Sequence, residues 1–505
     1  MKGDFSRDTF GSAKHFRRVL MQQGRVLLDS DWNEQTSILL HYLQTLAADL
    51  IGPYGGPAQK RGFAVITPDD LKNLPDVPAR LHDLNLRGNF VIGRGRYYVD
   101  GLLCENENLL LYARLEAPEL AQPDLVVTEP LKNAPYLVYL DVWERHISFI
   151  EDASIREVAL GSHGPDTSAR TKLVWQVKTL DLTDTKAFND LTCLSIQNSE
   201  QWRNQVAQWQ PGNRGQLKAK ADEPDDPDSI NPCTLSPDAR YRGAENQLYR
   251  VEIHKGGQFI PPAEGGANVK LAAPNQPTFK WSRENGSVAL AIRSINGQQV
   301  TLEYLGRDAR LGLQVGDWVE VVDDNYLLRG DNEPSPLLRI TNIDRMEMIV
   351  TLSGAPLPLA VGHGGHTTPL RNPLLRRWDQ KAGDTRTGGL ELSDGAALIR
   401  ETTNGKDYWL LLEDGIKIQF QSGGDNPAIY RAGDYWLIPA RAATGDVEWP
   451  GEVGKPEPLP PHGVQHHYAP LARIEVDPTG IITVKEDYRR EFGRLANCPD
   501  IQDKS

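Results

Sequence analysis

The chain has 505 residues, more than one hydrophobic core normally organises, so we expect several domains. With 39% hydrophobic and 24% charged residues it can bury sizeable cores. Its net charge of −13 argues against a nucleic-acid binder, because such proteins neutralise phosphates with a basic face.

The first 28 residues differ from the rest of the chain in charge. They carry six basic and two acidic side chains, a local balance of +4: Lys2, Arg7, Lys14, Arg17, Arg18 and Arg25 against Asp4 and Asp8. The segment also has three spaced phenylalanines, Phe5, Phe10 and Phe16, but few runs that could form a core. We interpret residues 1–28 as a solvated or partner-facing arm that docks on an acidic, apolar neighbour, in preference to a phosphate-binding segment.

A helix is predicted directly after the arm. Asp31 and Glu34 have the spacing of a capping box, and Gly52-Pro53 supplies a stop signal. Six residues between them recur at intervals of four and three and fall on one stripe: Trp32, Thr36, Leu39, Leu43, Leu46 and Leu50. A stripe this short most often packs on its own domain; the alternative is packing on another copy or on a partner.

Strand patterns follow the helix. Residues 96–103 (RYYVDGLL) predict a hairpin closed by Asp100-Gly101. Residues 136–143 (YLVYLDVW) are apolar at nearly every position, as is typical of a central strand buried on both faces, and residues 172–182 predict its neighbour. Residues 221–232 (ADEPDDPDSINP) are interpreted as a loop or linker, with a calcium site there as a weaker alternative.

Short strands separated by turn signals continue to the C-terminus. Asn285-Gly286 and Asn296-Gly297 predict turns, and residues 409–420 predict a hairpin around Asp414-Gly415. We infer a mainly β, multi-domain fold with an N-terminal helix, built from small barrels or sandwiches joined by loops. The predicted ranges are an N-terminal arm and amphipathic helix (1–60), a β-rich domain with hairpins and a helical insert (61–220), an acidic proline-rich linker or loop (221–245), a β-barrel or sandwich (246–370) and a C-terminal β domain (371–505).

Motifs that prime a reaction are missing from the sequence. Gly93-Arg94-Gly95 lacks the third glycine of a dinucleotide fingerprint, and the patterns GxxxxGK[ST], GxSxG and HExxH do not occur. Asp29-Ser30-Asp31 opens like a calcium loop but lacks the glycine and the final glutamate that such a loop requires. We therefore predict a protein that is not an enzyme, with no catalytic residue, no metal and no cofactor.

The cysteines and histidines support the same prediction. Four cysteines lie far apart, without a C-x-x-C pair, and are interpreted as small buried hydrophobes: Cys104, Cys193, Cys233 and Cys498. Two histidine groups are interpreted as surface or hydrogen-bonded side chains in preference to metal ligands: His363 with His366, and His462 with His466 and His467.

Aromatic residues define the alternative function. Eleven tryptophans and sixteen tyrosines in a β-rich chain could form a platform for sugar rings, although most lie in strand patterns and are predicted to be core. Trp202 and Trp209, seven residues apart in a predicted helix, are the predicted exposed pair. The alternative is therefore a carbohydrate-binding or carbohydrate-active protein of the cell envelope.

Seven segments spread over most of the chain resemble an uncharacterised bacterial family. Genes of that family lie among those for phage-tail-like contractile injection systems. The segments are MKGDFSRDTF (1–10), LMQQGRVLLDSDWNEQ (20–35), LHYLQTLAADLIGP (40–53), YRGAENQLYRVEIH (241–254), FKWSRENGS (279–287), GDYWLIPAR (433–441) and PPHGVQHHYAPLA (460–472). The resemblance implies a place in or near the baseplate of a contractile particle and brings no catalytic residues with it.

Together these observations predict a structural component of such a particle, in or attached to its baseplate. We expect a symmetric multi-copy assembly with other particle subunits, without nucleic acid and without membrane insertion. We expect synthesis in the cytoplasm, followed by incorporation into a particle that is released or membrane-anchored. The predicted partner interface comprises Phe5, Phe10, Phe16, Arg17, Arg18, Trp32, Leu39 and Leu43.

Overall fold

The fold is described here from a computed structural model. It describes residues 1–161, 166–185, 187–221, 241–260, 276–306, 308, 310–330, 334–356, 369–401, 408–422, 427–452 and 454–493. Over these ranges the chain is mainly β, with many separate sheets and a helix near the N-terminus, which confirms the predicted fold class.

The α-helices of the described ranges are α1 (Asp29–Ile51), α2 (Pro68–Leu71), α3 (Ala79–His82), α4 (Glu200–Trp209) and α5 (Asp324–Arg329). Single 3-10 turns lie at Ser12–Lys14, Pro118–Leu120, Ala153–Ile155, Val158–Leu160, Ile196–Asn198 and Thr385–Thr387. None of these helices combines the length and the apolar character that crossing a bilayer requires.

The strands of the first half are β1 (Tyr54–Pro57), β2 (Val65–Ile66), β3 (Val91–Ile92), β4 (Gly95–Val99), β5 (Leu102–Asn106), β6 (Leu110–Leu111), β7 (Pro135–Ile147), β8 (Arg170–Asp181), β9 (Gln216–Ala221), β10 (Gln247–Lys255) and β11 (Gly257–Gln258). Those of the barrel region are β12 (Thr278–Ser282), β13 (Ala289–Asn296), β14 (Gln299–Leu302), β15 (Trp318–Val322), β16 (Leu337–Asp344), β17 (Ile349–Leu352) and β18 (Leu374–Trp378). The remainder are β19 (Leu392–Ser393), β20 (Ala396–Leu398), β21 (Leu410–Leu411), β22 (Ile416–Gln421), β23 (Ile429–Tyr430), β24 (Tyr435–Arg441), β25 (Asp446–Val447), β26 (Gly451–Glu452), β27 (Lys455–Pro456), β28 (His466–Val476), β29 (Ile482–Asp487) and β30 (Glu491–Phe492).

The start of helix α1 differs from the prediction. The helix begins at Asp29, its N-cap is Leu28, and no side chain caps it, so the predicted capping box of Asp31 and Glu34 is wrong. Both residues lie inside the helix, where an early carboxylate still interacts favourably with the helix dipole. The predicted stop is confirmed: Gly52 has φ +90°, and its N–H donates to the carbonyl of Ala48 at 2.8 Å.

Strand β7 is the centre of an antiparallel sheet with the order β29-β28-β7-β8. Residues 136–143 are all buried, and β8 pairs with β7 along its whole length, which confirms both sequence predictions. The opposite neighbour, β28, comes from the far end of the chain. Hydrophobic side chains of this sheet share one core with the hairpin of β4 and β5.

The predicted Asp-Gly and Asn-Gly turns are confirmed. Asp100 and Gly101 have φ +46° and +80° between β4 and β5, and Asp414 and Gly415 have φ +48° and +84° between β21 and β22. Positive φ at both central residues is what a two-residue hairpin turn requires, and glycine adopts it without steric cost. Asn285 and Gly286 also have positive φ, +51° and +66°. Asn296 instead pairs with Gln299 at the end of β13, so the turn to β14 is formed by Gly297 (φ +57°) and Gln298.

Two further β assemblies form the middle of the chain. A six-stranded sheet, β19-β20-β12-β10-β24-β25, packs its hydrophobic side against the β21-β22-β9 sheet. Beside it, six strands close a barrel in the order β13-β14-β17-β16-β15-β18, with its own core. The predicted barrel within residues 246–370 therefore needs β18, which lies beyond that range.

The sheets combine segments that are distant in sequence. Strand β9 of range 61–220 pairs with β22 of range 371–505, and β7 pairs with β28. Strand β10 pairs with both β12 and β24. The β ranges predicted from the sequence consequently do not form separate sheets. Most of the predicted linker, residues 222–240, lies outside the described residues.

A buried network of charged side chains joins the six-stranded sheet to the barrel. Glu252 and Lys280 come from the sheet, and Glu320 and Arg376 come from the barrel. Lys280 is paired with Glu320 and lies 3.5 Å from Glu252. Arg250 is 2.6 Å from Glu252 within β10. Every side chain of the network is at most one-tenth exposed, so each charge depends on its partners for compensation.

Candidate functional site

Helix α1 presents its leucines to solvent. Trp32, Leu43 and Leu50 are 64%, 63% and 64% exposed, and the other leucines on this side of the helix are more than half exposed. We call this side the leucine face; it comprises Trp32, Leu39, Leu40, Leu43, Leu46 and Leu50. The interpretation that the stripe packs on its own domain is therefore wrong for the chain as the structure describes it.

Few side chains are buried on the opposite side of α1. Ser30 and Ile38 are the buried residues of the helix. The side-chain amide of Gln44 donates to the carbonyl of Asp100 at 3.1 Å, at the turn between β4 and β5. His467 of β28 lies 2.8 Å from the Asp100 carboxylate, so the same turn also contacts the central sheet. These contacts hold the helix in place while the leucine face stays exposed to solvent.

Gly101 sets the distance between the helix and the hairpin. A Cβ atom on Gly101 would lie 2.1 Å from the carbonyl oxygen of Gln44, and the residue has φ +80°. Gly433 has φ +86° but nothing within 4 Å of its would-be Cβ atom.

We expect Gly101→Ala to lower the free energy of unfolding by about 2–3 kcal/mol, because backbone strain adds to a contact with the helix backbone. Gly433→Ala, with strain alone, should cost about 1 kcal/mol. Denaturant unfolding measures both, and amide exchange of residues 44–52 should rise only in Gly101→Ala. Equal losses in the two variants would contradict a steric role for Gly101.

Residues 1–10 are docked on the chain's own globule. Lys2 lies 2.9 Å from Glu252 of the buried charged network, and the carbonyl of Gly3 accepts from the Asn285 side chain at 2.9 Å. The ring of Phe5 meets His146 edge-on at 6.1 Å. Residues 1–10 of the predicted arm are thus bound to the folded part of their own chain.

The first turns of α1 bind this docked segment. The Asp29 carboxylate accepts from the backbone N–H of Ser6 at 2.9 Å and from its hydroxyl at 2.5 Å. Burial alone would raise the pKa of Asp29, but the bonds from Ser6 hold it below its ordinary value. Glu34 accepts from the Thr9 hydroxyl at 2.6 Å. Asp29 and Glu34 therefore bind the docked segment, whereas the sequence pattern had assigned Glu34, together with Asp31, to helix capping.

The remainder of the arm, residues 11–28, is exposed. We call it the basic arm, because it has Lys14, Arg17, Arg18 and Arg25 and no acidic residue. It also exposes six large hydrophobic side chains: Phe16, Leu20, Met21, Val26, Leu27 and Leu28. In its own chain it touches α1 through the N–H of Val19, which donates to the Gln35 side chain at 2.8 Å.

The eight residues of the predicted interface fall into two groups. Phe5 and Phe10 are partly buried against the chain's own His146 and His41. The other six are exposed on one continuous segment: Phe16, Arg17, Arg18, Trp32, Leu39 and Leu43. Their role in binding a partner stays a prediction.

Sequence reasoning missed the apolar part of the basic arm. Leu20, Met21 and residues 26–28 form two short apolar clusters on either side of Gly24. The available signal was the position of the clusters on either side of Arg25 in a segment without core-forming periodicity. Leucines in such a segment have no helix or strand face to bury, so exposure follows from the pattern.

The described histidines of the second predicted group, His462, His466 and His467, make hydrogen bonds or ring contacts within the chain. His466 Nδ1 is 2.6 Å from Asp141, whose other oxygen accepts from Lys178 at 2.7 Å. His462 stacks on Tyr435 at 5.4 Å. Within the described ranges no three His, Cys, Asp or Glu side chains form a group that could hold a metal ion. His363 and His366 lie outside those ranges, as do Cys233 and Cys498.

The predicted exposed tryptophan pair is wrong. Trp202 is only 5% exposed, and Trp209 stacks on Tyr139 with ring centroids 4.4 Å apart. Both rings belong to a core beneath α4 that includes Tyr488. All eleven tryptophans lie in the described ranges, and among them Trp32 of the leucine face is the exposed one.

A protein-family model matches residues 1–198 and again residues 190–483. The chain belongs to the DUF6519 family. That family is described as one of unknown function, so membership assigns no chemistry. No curated protein and no solved structure matches the chain. The first DUF6519 match includes the basic arm and α1, and the second includes strand β28 and ends at the start of β29.

Proposed function

We propose that the chain is a structural component of a larger assembly and binds a neighbouring subunit through the basic arm and the leucine face. The observation that carries this proposal is that α1 turns its leucines to solvent and not to its own domain. Thirteen of the 25 exposed large hydrophobic side chains of the described ranges lie between residues 16 and 50.

The extent of this surface is unusual for a protein that acts alone. These thirteen side chains are between 43% and 82% exposed and leave on the order of 1,000 Å² of apolar surface in water. The largest patch on a typical monomer is roughly 300–600 Å². A stable interface covers about 800 Å² on each partner. The surface is therefore large enough to be buried in one specific interface.

For the identity of the assembly we propose a phage-tail-like contractile injection particle, with the chain in or attached to its baseplate. This part of the proposal is supported by the seven sequence segments named above. Contractile particles are built from repeated copies that contact one another through arms and exposed helices.

Substitutions on the leucine face test the proposal. Leu39→Glu combined with Leu46→Glu places two charges seven residues apart, which avoids a repulsive pair at neighbouring turns, and glutamate keeps the helix stable. Both leucines are more than half exposed, so the fold should lose less than about 1 kcal/mol. We expect at least a ten-fold loss of the protein from purified particles, because charges cannot be buried unpaired in the interface.

The matched control is Val158→Glu with Met346→Glu. These residues are 85% and 91% exposed and lie outside the proposed interface. The control should be incorporated like the wild type, as measured by quantitative mass spectrometry of sedimented particles. Normal incorporation of the Leu39→Glu/Leu46→Glu variant would contradict the proposal. Deletion of residues 1–28 is a poorer test, because it also removes Lys2, which lies 2.9 Å from Glu252 of the buried charged network.

A further inference from the structure

We infer that the occupant of the leucine face is a second copy of this chain, bound through a two-fold interface in which the two α1 helices pack together and each basic arm lies against the helix of the other copy. This inference rests on the proposed function, since it names the neighbour that the surface binds. Three features support it: the spacing of the leucines, the division of charge and the length of the arm.

The spacing of the leucine face fits a second helix. With the exposed Thr36 between Trp32 and Leu39, the residues from Trp32 to Leu50 recur at intervals of 4-3-4-3-4. These are the intervals of heptad positions that interlock with an equivalent helix, and we call this row of residues the seam. Asp31 and Glu34 lie off this seam, and Leu40 flanks it. A seam flanked by leucine is wider than two equal helices alone require, which leaves room for a further apolar segment beside them.

The charges of the two segments are opposite and equal. Helix α1 has four carboxylates and no basic residue, whereas the basic arm has four cations and no carboxylate. Two α1 helices by themselves would bring like charges together, which opposes association. The basic arm of the opposite copy neutralises this charge while its leucines cover the flank of the seam. In a two-fold interface that contact is made twice.

The arm is long enough and starts in the right place. Eighteen extended residues reach up to about 60 Å, and a 23-residue helix is about 35 Å long. The N–H of Val19 binds Gln35, which lies next to the seam, so the arm passes the position where the second helix would lie. From there its exposed residues can follow that helix.

The mass of the purified protein in solution is the first test. Light scattering across a concentration series should show a species of twice the 56.2 kDa chain, and its dissociation constant should rise with salt because the arm contact is electrostatic. Leu39→Glu/Leu46→Glu should be monomeric, with Val158→Glu/Met346→Glu unchanged. A wild-type protein that stays at 56.2 kDa up to about 100 μM, well above a micromolar dissociation constant, overturns the inference.

A charge exchange between copies is the second test. Arg17→Glu/Arg18→Glu should weaken self-association about ten-fold or more, and so should Asp31→Lys/Asp49→Lys. Each double substitution changes the net charge of its segment from four to zero. A mixed dimer therefore has one contact between two segments without net charge and one contact between a native arm and a native helix. The mixture should therefore form mixed dimers, detected by native mass spectrometry, that are tighter than the dimer of either variant and weaker than the wild-type dimer. A mixture no tighter than either variant alone rules out the arm-to-helix contact.

These outcomes separate the two proposals. If the wild type is a monomer but the leucine-face variant is still lost from particles, the proposed function stands and the second copy is not the occupant of the leucine face. If the wild type is a dimer and the leucine-face variant is a monomer that is incorporated normally, the second copy is the occupant, but the leucine face has no role in particle assembly.

Discussion

A chain that ends at residue 465 is expected to lose the cooperative unfolding transition of the β7 sheet. The cut removes β28, which is hydrogen bonded along β7, and β29, which is paired to β28. It also removes β30, the parallel neighbour of β1. Strand β7 would be left with a bare edge and an uncovered face.

The size of the loss follows from burial. Seven removed side chains are nearly inaccessible to solvent: Ala469, Leu471, Ala472, Ile474, Val476, Ile482 and Tyr488. Large apolar side chains contribute roughly 1.5–3 kcal/mol each when fully buried, so these together approach the entire net stability of about 5–15 kcal/mol of a folded domain. The shortened chain should be insoluble or rapidly degraded by protease.

The control is a chain that ends at residue 493, which keeps β28, β29 and β30. Circular dichroism melting and limited proteolysis of both chains make the comparison. A native-like, cooperative melt of the chain ending at 465 would show that residues 53–221 form an independent domain. That result would contradict the strand pairing described here.

Glu252→Gln is expected to destabilise the protein by about 3–5 kcal/mol, although it changes one atom of the side chain. Glu252 is 4% exposed and lies 2.9 Å from Lys2, 2.6 Å from Arg250 and 3.5 Å from Lys280. Burial alone would raise the pKa of Glu252, but these three cations hold it well below its ordinary value. The variant leaves the cations in a buried site with one compensating charge fewer.

The sign of the pH dependence follows from that pKa. Because it is lowered in the folded state, Glu252 stabilises the fold above its unfolded pKa, and the contribution is lost only as the pH falls through the lower folded pKa. The difference between wild type and Glu252→Gln should therefore be complete at neutral pH and disappear in acid. Denaturant unfolding at several pH values measures it.

Two further variants test whether the stability loss of Glu252→Gln comes from the loss of a buried charge. Glu452→Gln removes an exposed carboxylate that lies 3.7 Å from Lys455, with both side chains more than 80% exposed, and should cost less than about 1 kcal/mol. Adding Lys2→Met to Glu252→Gln removes one uncompensated cation and should restore part of the stability. A Glu252→Gln variant as stable as Glu452→Gln would mean that solvent reaches the network.

Short-range features of the fold could be predicted from the sequence because their causes are local. The turns at Asp100-Gly101 and Asp414-Gly415 require positive φ, which these residue pairs supply wherever strands flank them. The continuous apolar run in β7 could only be satisfied by burial on both faces. The stop of α1 at Gly52 has the same local origin.

The sequence by itself thus determined the mainly β class, the principal turns, the central strand and the existence of a leucine-striped helix. Only the tertiary structure decided which way that helix faces, where Phe5 and Phe10 dock, and which distant strand pairs with β7. Those outcomes depend on whether partner surfaces meet across hundreds of residues, and the spacing of residues along a chain carries no information about that. For the helix, Gly101 and Gln44 bring the polar side inward, which leaves its leucines in water.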